Sequence, residues 1–158
     1  MYGRFVNWLS ATPFGTWLVR NWAAKVDPRI FRATGGRFTS TGVPTLPMLT
    51  LTTTGRRSGR PHAVQLAFVA DGESMLVVAS AMGQERHPAW RYNLEACPDV
   101  ELQLRGRRVR ATARVLDDRE KAEVWDRIKL AIPQMRVYER RTDRNIRVFR
   151  LTPSDVAA

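Results

Sequence analysis

Cysteine, histidine and acidic residues are scarce in this 158-residue chain. A single cysteine, Cys97, cannot form an internal disulfide, so the fold does not depend on oxidation, as suits a reducing cytosol. The two histidines, His62 and His87, lie far from Cys97 and from each other, which argues against a structural zinc site, and no metal is expected. No apolar run reaches the roughly 18 residues that a membrane span needs. The N-terminus lacks the clean apolar core and cleavage site of a signal peptide. There is no H-E-x-x-H, no Walker loop, no G-x-G-x-x-G, and no serine or cysteine with an evident base. Any hard chemistry is therefore expected from a cofactor, with the protein supplying binding and orientation. Acidic residues number 15 against 26 Lys and Arg, a formal charge of +11. That imbalance attracts polyanions, phosphorylated ligands or anionic lipid. No nucleic-acid-binding motif accompanies it, and the aromatics are not interleaved with the arginines as single-strand binders require, so nucleic acid is not an expected partner.

Hydrophobic content of 44% and charged content of 26% are those of a globular chain. Residues 1–44 read as a helical arm. Phe5, Trp8 and Leu9, then Phe14, Trp17, Leu18 and Trp22, fall at helical spacing, and the only charges before Asp27 are Arg4, Arg20 and Lys25. Such an arm packs on its own domain, on a second subunit in a homodimer, or peripherally on the anionic inner face of the cell membrane.

Residues 45–158 read as one mainly β, α+β domain. Strands are expected over Met48–Thr54, Ala63–Ala70 and Ser74–Ser80, with Asp71-Gly72 as a type I′ turn between the last two. Ser74–Ser80 is apolar on both faces and so central. His87-Pro88 opens a short helix that runs to Ala96. Val100, Leu102 and Leu104 define a half-buried strand, and a further strand turns Val109, Ala111, Ala113 and Val115 inward. Asp117 and Glu120 form a capping box for a helix with Val124, Trp125, Ile128 and Ala131 inward, interrupted at Pro133. A helix carrying Met135 and Tyr138 and a last strand around Val148 follow. Short antiparallel strands without a βαβ rhythm point to a small closed or half-closed barrel.

Two stretches concentrate chemical groups. The first is Leu51-Thr52-Thr-Thr-Gly55-Arg56-Arg57-Ser58-Gly59-Arg60-Pro61-His62. Its glycines allow positive φ, and its guanidinium forks have no carboxylate nearby. Two readings stand: a turn with solvated arginines, or a cradle for a phosphate or carboxylate. The second runs from Val78-Ala79-Ser80-Ala81 to His87-Pro88-Ala89-Trp90-Arg91-Tyr92-Asn93. Ser80 ends a buried strand, Pro88 starts a helix whose N–H groups suit an anion, Trp90 offers a flat face to a ring or packs in the core, and Asn93 offers a polar contact.

These stretches, with Ala96-Cys-Pro98-Asp-Val, Arg141-Thr-Asp-Arg144, Asp27-Pro28 and Thr34-Gly-Gly-Arg37, occur in an order and spacing that resemble the deazaflavin-dependent nitroreductase family of actinobacteria, from about residue 25 to Pro153. The resemblance implies a split β-barrel related to flavin-binding oxidases, binding coenzyme F420, which carries a phosphate and an oligoglutamate tail. It implies that Arg56, Arg57, Ser58, Gly59 and Pro61 hold the phosphate and tail-proximal region, with His62 sharing that role. Ala79, Ser80 and Ala81 would line the ring, Ala89, Trp90, Arg91, Tyr92 and Asn93 would close over it, and Thr52 and Val78 would be further coenzyme-binding residues. Tyr138, or Ser80, would serve catalysis by hydrogen bonding to the acceptor. The implied activity is hydride transfer from reduced F420 to a quinone, enone or nitro-type acceptor; the alternative is a non-catalytic F420 carrier. Relatives commonly have lysine in place of Ala81, and nitroreductase members have tyrosines in place of Ala67, Ile132 and Met135. The acceptor pocket expected here is correspondingly less aromatic.

Overall fold

The computed structural model describes residues 46–154, with Ala33 alone before them. The expected arm over residues 1–44 thus lies outside the described residues. Six strands form the body: β1 (Met48–Thr54), β2 (Pro61–Asp71), β3 (Ser74–Val78), β4 (Asp99–Leu104), β5 (Arg107–Val115) and β6 (Val148–Pro153). Helix α1 (Ala89–Ala96) lies between β3 and β4 in sequence, and α2 (Asp118–Ala131) and α3 (Met135–Arg140) between β5 and β6. The strands pair antiparallel in the closed order β1-β2-β3-β6-β5-β4, a split β-barrel as expected.

Alternation along each strand builds the barrel interior. Leu49 and Leu51 of β1, Met75 and Val77 of β3, Val100 and Leu102 of β4, Ala111 and Ala113 of β5, and Phe149 and Leu151 of β6 meet in one core. Helix α1 adds Trp90 and Leu94 to that core, so it packs its buried face against the barrel interior. The outer face of β3 and β6 forms a second core: Leu76, Val78 and Val148 pack with Val124 and Ile128 of α2 and with Met135 and Tyr138 of α3. β3 is accordingly buried on both sides, which explains its unbroken apolar run. The capping box at the start of α2 forms as its spacing predicts, with Glu120 N donating to Asp117 Oδ1 at 2.8 Å and Asp117 N to Glu120 Oε2 at 3.1 Å. Asp71 receives Arg127 of α2 at 2.6 Å and Arg150 of β6 at 2.8 Å, and so ties the helix layer to the sheet.

Three local expectations are corrected. The β2–β3 hairpin pairs Asp71 with Ser74, so its central residues are Gly72 and Glu73. Gly72 alone has positive φ (62°), which is the pattern of a type II′ turn, not type I′. Val115 faces solvent at 39% exposure, because Leu116 (1%) takes the buried place beside Val148 and beneath α2. Ala131 is also exposed; the helix stops there and its C-cap, Ile132, turns inward instead.

Candidate coenzyme site

The loop of residues 55–60 joins β1 to β2 at one end of the barrel. Thr54 pairs with Pro61 at its base. Gly55 N donates to Arg60 O at 2.8 Å and Gly59 N to Gly55 O at 2.7 Å, which draws the loop into a compact turn. Gly59 takes φ 64° at its corner. Gly55 has a different reason to be glycine: a Cβ there would lie 2.5 Å from Ser58 Oγ and 2.7 Å from the His62 ring. Those two side chains meet across it, Ser58 Oγ to His62 Nε2 at 3.2 Å. This serine–histidine contact was not evident in the sequence. Arg60 N donates to the same hydroxyl at 3.3 Å, so the pair helps to shape the loop.

Asn93 of α1 anchors this loop. It is only 8% exposed. Its Oδ1 accepts from Arg56 N at 3.1 Å, and its Nδ2 donates to Thr53 Oγ1 at 3.0 Å. Thr53 Oγ1 in turn donates to His62 O at 3.4 Å. Asn93, expected to contact the ligand, lines the cleft between this loop and α1, and its amide also holds the arginine loop. Arg56 lays its guanidinium over the Tyr92 ring at 4.7 Å, and Arg91 approaches the same ring at 5.0 Å while bonding Glu95 at 2.8 Å. These contacts leave the charge of Arg56 beside the loop with its orientation restrained.

Between the loop and α1 opens a cleft of about 470 Å³. Arg56, Arg57, Ser58 and His62 form one wall and Ala89, Trp90, Tyr92 and Asn93 the other, with Ala63 and Val64 between them. No carboxylate lines it. Pro88 provides no side-chain cap to α1, so the start of that helix adds its partial positive charge to the same side. Trp90 packs against Phe149 in the barrel core at 5.8 Å between ring centroids and also lines the cleft.

The remaining expected residues are not on this wall. Thr52 is half-buried mid-strand, paired with Ala63 and Glu101. Gly59, at the loop's corner, and Pro61, the first residue of β2, are both exposed. Val78 and Ala79 are buried where β3 ends, and Ala79 N donates to Arg147 O at 2.9 Å. Ser80 (8% exposed), Ala81 and Gly83 form a ridge after β3 with a 3₁₀ turn over Ala81–Gly83. Ala81 and Met82 both have positive φ, 44° and 56°. Tyr138 packs in the second core at 7% exposure, and burial raises its hydroxyl pKa against the opposing pull of Arg141. Ala67, Ile132 and Met135 gather in the same core, with Met82 packed against it. Gly83 joins ridge and helix: a Cβ on it would stand 2.8 Å from Tyr138 O.

A protein-family description, F420H(2)-dependent quinone reductase, matches residues 23–153. The chain belongs to this family. An F420H(2)-dependent quinone reductase of Mycobacterium tuberculosis is 34% identical over 131 residues, covering 81% of this chain and 88% of that protein. Among solved structures, an F420-H2 dependent reductase termed FDR-A is 35% identical with a TM-score of 0.61, covering 70% of this chain and 99% of its own. Another, described as a domain-swapped dimer, is 33% identical with a TM-score of 0.62, covering 86% and 98%. As a member of this family the protein is an oxidoreductase, and its cofactor is F420. The cleft fits that group: its donors are guanidinium, hydroxyl and imidazole, it holds no competing carboxylate, and one side is apolar. Among the described residues no cluster of His, Cys, Asp or Glu could hold a metal, and no helix is long and apolar enough to cross a membrane.

Proposed function

We propose that this family member reduces a quinone-type acceptor, and that the carboxylate-free cleft between the 55–60 loop and α1 is where it holds the anionic part of F420. Arg56 and Arg57 clamp phosphate and tail carboxylates as charge-assisted hydrogen-bond donors, with Ser58 and His62 adding further contacts. Ala79, Ser80 and Ala81 back the ring, and Trp90 closes the apolar side. When bound, the reduced coenzyme supplies the hydride. The protein's part is to hold the acceptor within about 3–3.5 Å of the ring and to keep water out. Ser80 or Tyr138 donates a hydrogen bond to the acceptor oxygen; the buried, high-pKa phenol of Tyr138 stays protonated for that role at neutral pH. Ala81, standing where relatives commonly carry lysine, leaves more of the anion binding to the Arg56–Arg57 pair.

The deciding experiment is a fluorescence titration of the protein with F420, with FMN as competitor, followed by turnover with a panel of quinones. Saturable F420 binding that weakens about 100-fold in Arg56→Ala plus Arg57→Ala, roughly two lost charge-assisted contacts, supports the cleft as the site. A preference for FMN, or a double variant that binds like the wild type, refutes it. Binding without turnover of any quinone would make the protein an F420 carrier. The Trp-rich residues 1–26 support a further reading, reversible association with anionic membrane, where lipid-soluble quinones reside. Equal co-sedimentation of the full chain and a version lacking residues 1–26 with anionic liposomes would end that reading. The domain-swapped relative supports a second copy of this chain as partner, which sedimentation equilibrium would reveal.

A further inference from the structure

Arg144 is half-buried and engages all three of its guanidinium nitrogens. Its Nε donates to Gln84 O at 2.6 Å, its Nη1 to Ala79 O at 3.0 Å, and its Nη2 to Ser80 O. Nη1 also lies 3.0 Å from His87 Nδ1. The three carbonyls bracket the part of the backbone that most resists its own shape. Ala81, Met82 and Gly83 follow one another at φ 44°, 56° and 73°. Two consecutive non-glycine residues in the left-handed region persist only where the surroundings impose it. The local bonds Gly83 N to Ser80 O and Gln84 N to Ala81 O help, but they close within the segment itself. Arg144 holds it from outside, across some 60 residues of sequence.

The contact with His87 carries chemical information. A guanidinium has donors and no acceptor, so Nδ1 of His87 must be the accepting nitrogen and the imidazole proton must sit on Nε2. Burial, together with the charges of Arg91 and Arg144, disfavours the imidazolium. The His87 ring then stands edge-on to Tyr92 at 6.2 Å, and Tyr92 carries Arg56 on its ring at 4.7 Å. One continuous set of contacts thus runs from Arg144 through His87 and Tyr92 to the arginine loop.

We propose that Arg144 is a positioning residue for the coenzyme: it holds the Ala79–Gln84 ridge in its left-handed form and fixes His87 as the Nε2-protonated tautomer, so that ridge and cleft keep one mutual geometry. The coenzyme half of this inference rests on the proposed function above. The tautomer half does not.

The chain has only two histidines, so imidazole ¹⁵N spectra of the full-length protein are simple, and His62→Gln assigns them. In the coenzyme-free wild type at neutral pH, His87 is expected with Nδ1 unprotonated and Nε2 protonated. Arg144→Met keeps the apolar stem and removes the fork; it should give averaged tautomers at His87 and faster hydrogen exchange at Gly83 and Gln84. It should also weaken F420 binding about tenfold, the equivalent of one contact to a charged group. Arg144→Lys keeps the charge but lacks the fork, and should recover only part of the affinity. A proton on Nδ1 of wild-type His87 overturns the inference without any variant, even if Arg144→Met fails to fold. A folded Arg144→Met that keeps the single tautomer and wild-type F420 affinity overturns it as well. Wild-type protein with the expected tautomer that fails to bind F420 would instead overturn the reading of the ridge, and with it the coenzyme half.

Discussion

Replacing Asn93 by alanine isolates the residue that holds the arginine loop in place. The side chain is 8% exposed and makes one bond to Arg56 N at 3.1 Å and one to Thr53 Oγ1 at 3.0 Å. Each contributes roughly 0.5–1.5 kcal/mol net, and the part-buried Arg56 N–H left without its acceptor costs about another 1 kcal/mol. Thr53 Oγ1 keeps its own contact with His62 O, so it adds little. The expected loss is about 2–4 kcal/mol, a drop in Tm of roughly 4–16 °C for a chain of this size. Loop order should suffer beyond that, because Asn93 Oδ1 is what orients the backbone carrying Arg56. F420 affinity is therefore expected to fall about tenfold, the worth of one charge-assisted contact no longer pre-positioned. The control is Ile128→Val, fully buried on the inward face of α2 in the second core. It should cost about 0.5–1.5 kcal/mol and leave the affinity unchanged. Thermal melts and fluorescence titrations on both variants complete the test. The reasoning is falsified if Asn93→Ala loses stability but binds F420 like the wild type, or if Ile128→Val weakens binding equally.

Gly83→Ala, at φ 73° and with its new Cβ 2.8 Å from the backbone oxygen of Tyr138, should cost about 2–4 kcal/mol. Gly59→Ala, at φ 64° but with open space around it, should cost only about 1 kcal/mol, so urea denaturation separates strain from collision. Tyr138→Phe should slow quinone turnover while coenzyme affinity stays nearly unchanged; equal loss of both in stopped-flow and titration data would remove Tyr138 from the acceptor side. Acid should unfold the protein through its ion-paired carboxylates. The paired Arg114 guanidinium, then Asp117 N, hold Glu120 at about 2 against an ordinary 4.5, and Arg127 lowers Asp71. A depressed folded pKa adds stability that is complete above the unfolded value and lost as pH falls through the folded one. Stability should thus decline from pH 4.5 down to about 2, and Glu120→Gln should flatten that decline in pH-resolved melts.

Much of the barrel is legible because its signals are local. β1 spans the residues that its Leu/Thr alternation marks, and the capping box needs only Asp117 and Glu120. The failures occur where a strand or helix ends. Alternation predicts Val115 inside, but at the end of β5 the chain crosses from the barrel interior to the layer beneath α2, and Leu116 becomes the buried residue. Ala131 fails likewise, since a helix that stops cannot continue its periodicity into Ile132. At the site, the arginine turn and the residues from Ala89 to Asn93 were legible as types in an order. Their division of labour was not. Asn93 holds a loop 37 residues away, and Arg144 holds a ridge some 60 residues away. Neither contact leaves a periodic trace, although Arg144 ends the Arg141-Thr-Asp-Arg144 stretch.

The closed strand order has a consequence for self-assembly. In β1-β2-β3-β6-β5-β4 every strand has two neighbours, with β2 meeting β1 over Pro61–Ala67 and β3 over Phe68–Asp71. An exchange of any of these strands between two copies would first have to rupture ladders on both of its sides. Such an exchange would cross a barrier near that of unfolding and run on the slow clock of denaturation, whereas association through outward side chains would equilibrate quickly with dilution.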